Sequence, residues 1–150
     1  MSGRSAPTER RLSLLLLLVA ANQRMGQLVD RELAAEAVEA ADYALLSLIG
    51  VRGPVRLTEV AAELGMPLTT ASDAIRRLEA GGRVERLPNP EDGRSSLFQL
   101  SPTGDADWRR GWPALQRIDA ALGEALEDPA AVGAALEALG AAFEEALTEK

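Results

Sequence analysis

Neither cysteine nor histidine occurs in this chain of 150 residues. The first absence removes disulfides, thiolate nucleophiles, thiol redox sensing and sulfur-ligated metals together. The second removes the usual general base near neutral pH and the commonest metal ligand. Carboxylate, Ser or Lys catalysis stays formally open, but there is no GxSxG elbow, no phosphate-cradling Gly loop and no SxxK. No nucleophile, base or metal set can be named, so an enzyme is the weakest reading and no cofactor or metal is expected. A compact domain of this length buries roughly 68–70% of its unfolded surface and needs no staple.

A basic excess is missing as well: 16 Lys and Arg stand against 23 acids, a net charge of −7. That total argues against a nucleic-acid partner, because neutralised phosphates supply most of the affinity for DNA. The distribution argues differently. From Arg52 to Leu100 seven Arg meet seven acids, so this segment is neutral and the flanks hold the whole acidic surplus. The centre is therefore free to meet a polyanion.

Also lacking is an apolar run long enough for a bilayer, which takes about 20 residues. Leu12 to Ala21 comes nearest, after Arg10 and Arg11, and a basic flank before such a run resembles a secretory signal. Glu9 in the basic flank, the helix-forming continuation through Leu28 and Val29, and the absence of a disulfide framework favour a buried helix of a cytoplasmic protein. That helix, opened by Pro7, Thr8 and Glu9 and running to about Val29, is apolar on nearly every side between Leu14 and Val19, so more than one side must be covered. Its second cover is expected to be another copy of the chain.

Asp30 to Ala41 reads as helical or broken-helical, and Ala41 to Gly50 as a helix with Ala41, Leu45, Leu48 and Ile49 on one stripe, ended by Gly50, Gly53 and Pro54. The informative stretch is Leu57 to Leu100, LTEVAAELGMPLTTASDAIRRLEAGGRVERLPNPEDGRSSLFQL. Thr58 is the expected N-cap of a short helix with Leu57, Val60, Ala61 and Leu64 at i, i+3, i+4 and i+7. Gly65 suits the left-handed residue that closes it. After Pro67 a second helix buries Ala71, Ala74, Ile75 and Leu78 and leaves Thr69, Thr70, Asp73, Arg76 and Arg77 on its other sides. Gly81 and Gly82 stop it.

Arg83 to Leu87 and Leu97 to Leu100 can then pair as antiparallel strands around a Pro-, Asn-, Asp- and Gly-rich loop with Arg94 near its tip. An Arg- and Thr-lined helix face taken alone is usually a solvated face. Helix, tight turn, helix and basic hairpin in that order make a winged helix-turn-helix, a DNA reader. Ser101 and Pro102 open a long helix to about Leu126 with a Leu115, Ile118, Leu122 and Leu126 stripe, expected to bend near Trp112 at Gly111 and Pro113. Asp128 and Pro129 cap a last helix carrying Leu136, Leu139, Phe143 and Leu147. Trp108 and Trp112 read as packing residues.

With these pieces in place the sequence resembles the MarR family of winged-helix transcriptional regulators. The resemblance rests on an apolar first helix, LTEVAAELGM, PLTTASDAIRRLEAGGRVER, the wing NPEDGRSSLFQLSPTG and two closing helices. The order LEAGGRVER, then Asp92-Gly93-Arg94, then LFQLSPTG is its most specific part. The implied fold is mainly α with a small β-hairpin wing, α+β in class: a winged helix-turn-helix with flanking dimerisation helices. Residues 1–40 would form the N-terminal dimerisation region, 41–101 the DNA-binding domain and 102–150 the C-terminal dimerisation helices.

The resemblance further implies a homodimer interleaved through Leu12, Leu14, Leu15, Leu18, Leu136, Leu139, Phe143 and Leu147. Its partner would be double-stranded DNA carrying a pseudo-palindromic operator. Carried over by position, Thr69, Thr70, Asp73 and Arg77 face bases or nearby phosphates, Arg76 and Arg86 contact phosphates, and Arg94 enters the minor groove with Asp92 holding it. Arg83 departs from the pattern where an apolar residue usually opens the wing, as does Gly93 where many members carry another Arg. The implied regulator is a repressor released by a small aromatic or phenolic effector. Without Cys a thiol switch is excluded, and without His a zinc-sensing one is disfavoured. Two other classes stay open: a winged-helix protein-interaction module that does not bind DNA, motivated by the acidic total, and an exported helical protein, motivated by the Leu12 to Ala21 run.

Overall fold

A computed structural model describes residues 13–148; Leu12 lies outside the described residues. Six helices and three short strands follow one another as α1 (Leu14–Ala35), α2 (Tyr43–Arg52), β1 (Val55–Arg56), α3 (Leu57–Glu63), α4 (Leu68–Ala80), β2 (Val84–Pro88), β3 (Ser96–Leu100), α5 (Pro102–Ala125) and α6 (Pro129–Thr148). Among the described residues no helix is long and apolar enough to cross a membrane. The fold is mainly helical with a small antiparallel sheet, a winged helix-turn-helix flanked by α1, α5 and α6.

Each boundary has a local cause. Helix α1 continues past the expected end near Val29 through the Ala- and Glu-rich stretch to Ala35. It stops where Ala37 turns left-handed (φ 54°). Gly65 (φ +61°) closes α3 and Gly82 (φ +67°) closes α4, both as their lack of a Cβ predicts. Past Gly82 the Arg83 N–H donates to the Leu78 carbonyl at 2.9 Å, tying the start of the wing to the end of α4. Two expectations are corrected. The N-cap of α3 is Arg56, not Thr58, because the Glu59 carboxylate accepts from the Arg56 N–H at 2.7 Å. Gly50 does not end α2, whose C-cap is Gly53 (φ 83°). It lies inside the helix because the Trp108 ring occupies the space a Cβ would fill.

The sheet order is β1-β3-β2, with Val55 opposite Phe98 and Val84 opposite Leu100. Strand β1, absent from the hairpin expected from sequence, ties the start of α3 to the wing. The core gathers Leu33 from α1, Tyr43, Leu45, Leu46 and Ile49 from α2, Val60 from α3, Ala71, Ile75 and Leu78 from α4, Val84 and Phe98 from the sheet, and Ala114 from α5. Glycines let α5 approach α2 closely. A Cβ on Gly111 would meet the Tyr43 hydroxyl at 2.5 Å, and that hydroxyl donates to the Trp108 carbonyl at 2.6 Å. Trp108 and Trp112 meet edge to face with ring centroids 5.8 Å apart; Trp108 packs against the core as expected, whereas Trp112 is exposed. Helix α5 runs unbroken through Pro113, and its stripe is only half covered: Ile118 is buried, whereas Leu122 and Leu126 are exposed.

Candidate nucleic-acid interface

The amphipathic pattern of α4 decides which of its residues reach solvent. Ala71, Ala74, Ile75 and Leu78 are buried, and Thr69, Thr70, Asp73, Arg76 and Arg77 are exposed. The two threonines have no side-chain partner among the described residues. Asp73, an acid on a face expected to meet phosphate, is accounted for locally: it pairs with Arg76 one turn on, at 3.0 Å.

Of the seven Arg between positions 52 and 100, six form ion pairs. Arg52 meets Glu63, Arg56 meets Glu91 and Glu59, Arg76 meets Asp73, Arg77 meets Asp42, Arg83 meets Asp107 and Arg86 meets Glu79. Arg77 is clasped through two nitrogens by Asp42, the left-handed N-cap of α2, at 2.9 and 2.7 Å. That carboxylate holds the guanidinium above its ordinary pKa through the hydrogen bond and its charge. Arg86 is likewise raised by Glu79 and lies over the Phe98 ring, 5.1 Å from the centroid. Most of these pairs are solvent-exposed, and exposed pairs contribute only about 0–1 kcal/mol each. A DNA phosphate can therefore exchange for such a carboxylate at small cost.

Arg83 departs from the expected apolar residue for a visible reason. Its guanidinium donates to Asp107 of α5 at 2.7 Å, and its carbonyl accepts from the Ser101 N–H at 2.9 Å. The Ser101 hydroxyl donates to the Gly82 carbonyl at 2.5 Å and accepts from the Gly104 N–H at 3.0 Å. The base of the wing and the start of α5 are thus one stitched unit, and a Cβ on Gly104 would collide with the Arg83 carbonyl oxygen.

The wing loop is organised by a buried Asn89. Its Nδ2 donates to the Ser95 hydroxyl at 2.8 Å and its Oδ1 accepts from the Glu91 N–H at 3.1 Å. Asp92 does hold Arg94, but through the Arg94 backbone N–H at 3.0 Å rather than through the guanidinium. The Arg94 side chain has no ion pair among the described residues, so its guanidinium is open to an anion without first leaving a carboxylate. Sequence reading missed Asp42, Asn89 and Arg56. Asn89 carried a signal, an Asn set within a Pro-rich turn, whereas Asp42 and Arg56 are joined to their partners only by the fold.

The dimerisation candidates fall on two helices. Leu14 and Leu15 of α1 are 63% and 64% exposed, and Leu18 is half-buried. On α6, Leu136, Phe143 and Leu147 are exposed and Leu139 is half-buried; the helix buries none of its residues.

Comparison with known proteins agrees with this geometry. Residues 38–96 match the MarR family. The chain is 31% identical over 90 residues to the multiple antibiotic resistance protein MarR of Salmonella typhimurium, an alignment covering 60% of this chain and 62% of that protein. The chain therefore spans somewhat less than two thirds of the curated relative it matches. A mutant MarR from E. coli solved in complex with operator DNA superposes with a TM-score of 0.70 at 29% identity, over 85% of this chain and 91% of the other. The M. tuberculosis transcriptional regulator MosR, solved in complex with DNA, shares the fold at a TM-score of 0.78 and 21% identity, over 90% of this chain and 98% of its own. What the chain shares with these proteins is the winged-helix fold, and over residues 38–96 it is similar to the MarR family.

Proposed function

We propose that the chain is a homodimeric, sequence-specific DNA-binding regulator of transcription that acts as a repressor. The observation carrying this reading is the arrangement of α4 and the wing: an exposed Thr- and Arg-bearing helix beside a stiffened loop whose Arg94 has no acid partner among the described residues. The DNA complexes of the two structural relatives support it. Two α4 helices presented about 34–36 Å apart would enter successive major grooves, and the wings would reach the flanking minor grooves. Arg94→Ala is expected to weaken binding to a duplex recovered by random-sequence selection by about tenfold or more, as removal of a minor-groove Arg implies. Unchanged affinity in fluorescence anisotropy would exclude the wing from the DNA interface.

The finer reading adds release by a small aromatic or phenolic ligand. A largely apolar cavity of about 340 Å³ lies between α1, α2 and α5, walled by Met25, Val29, Tyr43, Ala44 and Leu115. Ser47 also lines it, and its hydroxyl has no hydrogen-bond partner among the described residues. A ligand there lowers DNA affinity only if it binds the DNA-incompetent spacing more tightly. Simple phenols are expected to raise the melting temperature of the wild type and to lose that effect in Ala44→Phe, which fills the space. Equal shifts in both proteins would place the ligand elsewhere.

A further inference from the structure

A second cavity, also about 340 Å³, opens between α4 and the wing. Four arginines from four separate elements line it: Arg56 at the end of β1, Arg76 on α4, Arg86 on β2 and Arg94 in the wing loop. Its apolar wall is Leu57, half-buried, with Ile75 and Phe98, both buried in the core, so most of that wall is held by the fold. No carboxylate lines it. The acids that pair with three of these arginines, Glu91 and Glu59 with Arg56, Asp73 with Arg76 and Glu79 with Arg86, stand outside its wall.

The position of this cavity is informative if α4 lies in a major groove and the wing in the adjoining minor groove. Those two grooves are separated by one sugar-phosphate strand, so the surface between the two elements faces that strand. We propose that this four-arginine cavity seats a backbone phosphate of the bound DNA, with Arg56 touching the phosphate directly and Glu91 as the counterion that the phosphate displaces. The inference rests on the DNA-binding reading above and adds to it a phosphate seat built from β1, away from the recognition helix. Guanidinium groups suit it because each presents paired N–H donors to phosphate oxygens. Glu91 sets a threshold: its pair with Arg56 at 3.0 Å is exposed and weak, and it satisfies the guanidinium until a phosphate arrives.

The test compares wild type, Arg56→Ala, Arg56→Lys and Glu91→Gln on a fluorescein-labelled duplex recovered by random-sequence selection, titrated at several KCl concentrations. Arg56→Ala should bind about tenfold more weakly at low salt. Its slope of log K against log salt should fall by about 0.9 for each phosphate that is no longer neutralised. Arg56→Lys should keep most of the slope, and Glu91→Gln, which breaks the same ion pair from the other side, should bind more tightly than wild type. A pair that only braces the wing would instead move both Arg56→Ala and Glu91→Gln in one direction with the slope unchanged, and that result overturns the proposal while leaving DNA binding intact. Failure of the wild type to bind any selected duplex would overturn the DNA reading itself. Methylphosphonate linkages scanned through the duplex identify the source of the phosphate: one neutral linkage should weaken the wild type distinctly more than it weakens Arg56→Ala. If no linkage behaves so, and pyrophosphate raises the melting temperature of wild type but not of Arg56→Ala, the cavity holds a free anion and the proposal fails.

Discussion

Gly104→Ala is expected to destabilise the protein by about 3 kcal/mol or more, above the ordinary range for overpacking a core. The added Cβ collides with the Arg83 carbonyl oxygen, which belongs to the backbone and already accepts the Ser101 N–H at 2.9 Å. A side chain could rotate away; a carbonyl in this position cannot move without breaking the bonds among Gly82, Ser101 and Gly104. In thermal unfolding the midpoint should fall by about 6–12 °C for a chain of this size. A midpoint within a degree or two of wild type would mean that α5 does not sit this close to the wing base. The same close approach bears on function, because it fixes the wing against the helix that joins it to α6.

On the proposed reading, DNA binding should suffer most from changes remote from α4 and the wing. Leu136→Glu with Phe143→Glu places two charges on α6, a helix on which both side chains are exposed and no residue is fully buried. The lobe formed by α2 to β3 gains nothing from these side chains, so its helicity and melting should persist. Association is what should fail: light scattering should report a monomer, and affinity for the selected duplex should fall by about a thousandfold, to the range of non-specific binding. A double variant that stays dimeric would place the dimer surface elsewhere. One that is monomeric yet binds at full affinity would show that paired recognition helices are not required.

The parts legible in the sequence were those governed by local rules. Helix α4 follows from Ala71, Ala74, Ile75 and Leu78 at helical spacing, and its limits follow from Pro67, Gly65 and Gly82, whose backbone geometry few other residues adopt. Ser101 as the cap of α5 and Asp128 near the start of α6 were legible for the same reason: each side chain accepts an N–H three residues on. Strand β1 was not legible, because two residues have no period and Val55 is a strand only through Phe98, far along the chain. The role of Gly50 was misread because a glycine near a helix end has two explanations, a stop or a close approach. Only the position of Trp108 decides between them.

The charge pattern divides in the same way. Asp73 with Arg76 could be paired from their spacing, one turn apart on a helix. Asp42 with Arg77, Glu91 with Arg56 and Asp107 with Arg83 join residues 24 to 35 positions apart. A neutral segment with seven Arg and seven acids therefore proved to be a set of guanidiniums each held by a carboxylate, with Arg94 the exception among the described residues. Such a surface should bind DNA weakly as a single copy and depend on pairing to bind well.

A single titration decides whether binding depends on pairing. Fluorescence anisotropy of a labelled duplex recovered by random-sequence selection, followed with increasing protein at several salt concentrations, reads both stoichiometry and the number of phosphates neutralised. Saturation is expected at two chains per duplex, with log K falling linearly with log salt at a slope of about 0.9 for each phosphate neutralised. Saturation at one chain per duplex, or binding that ignores salt, would contradict a paired, phosphate-neutralising DNA reader.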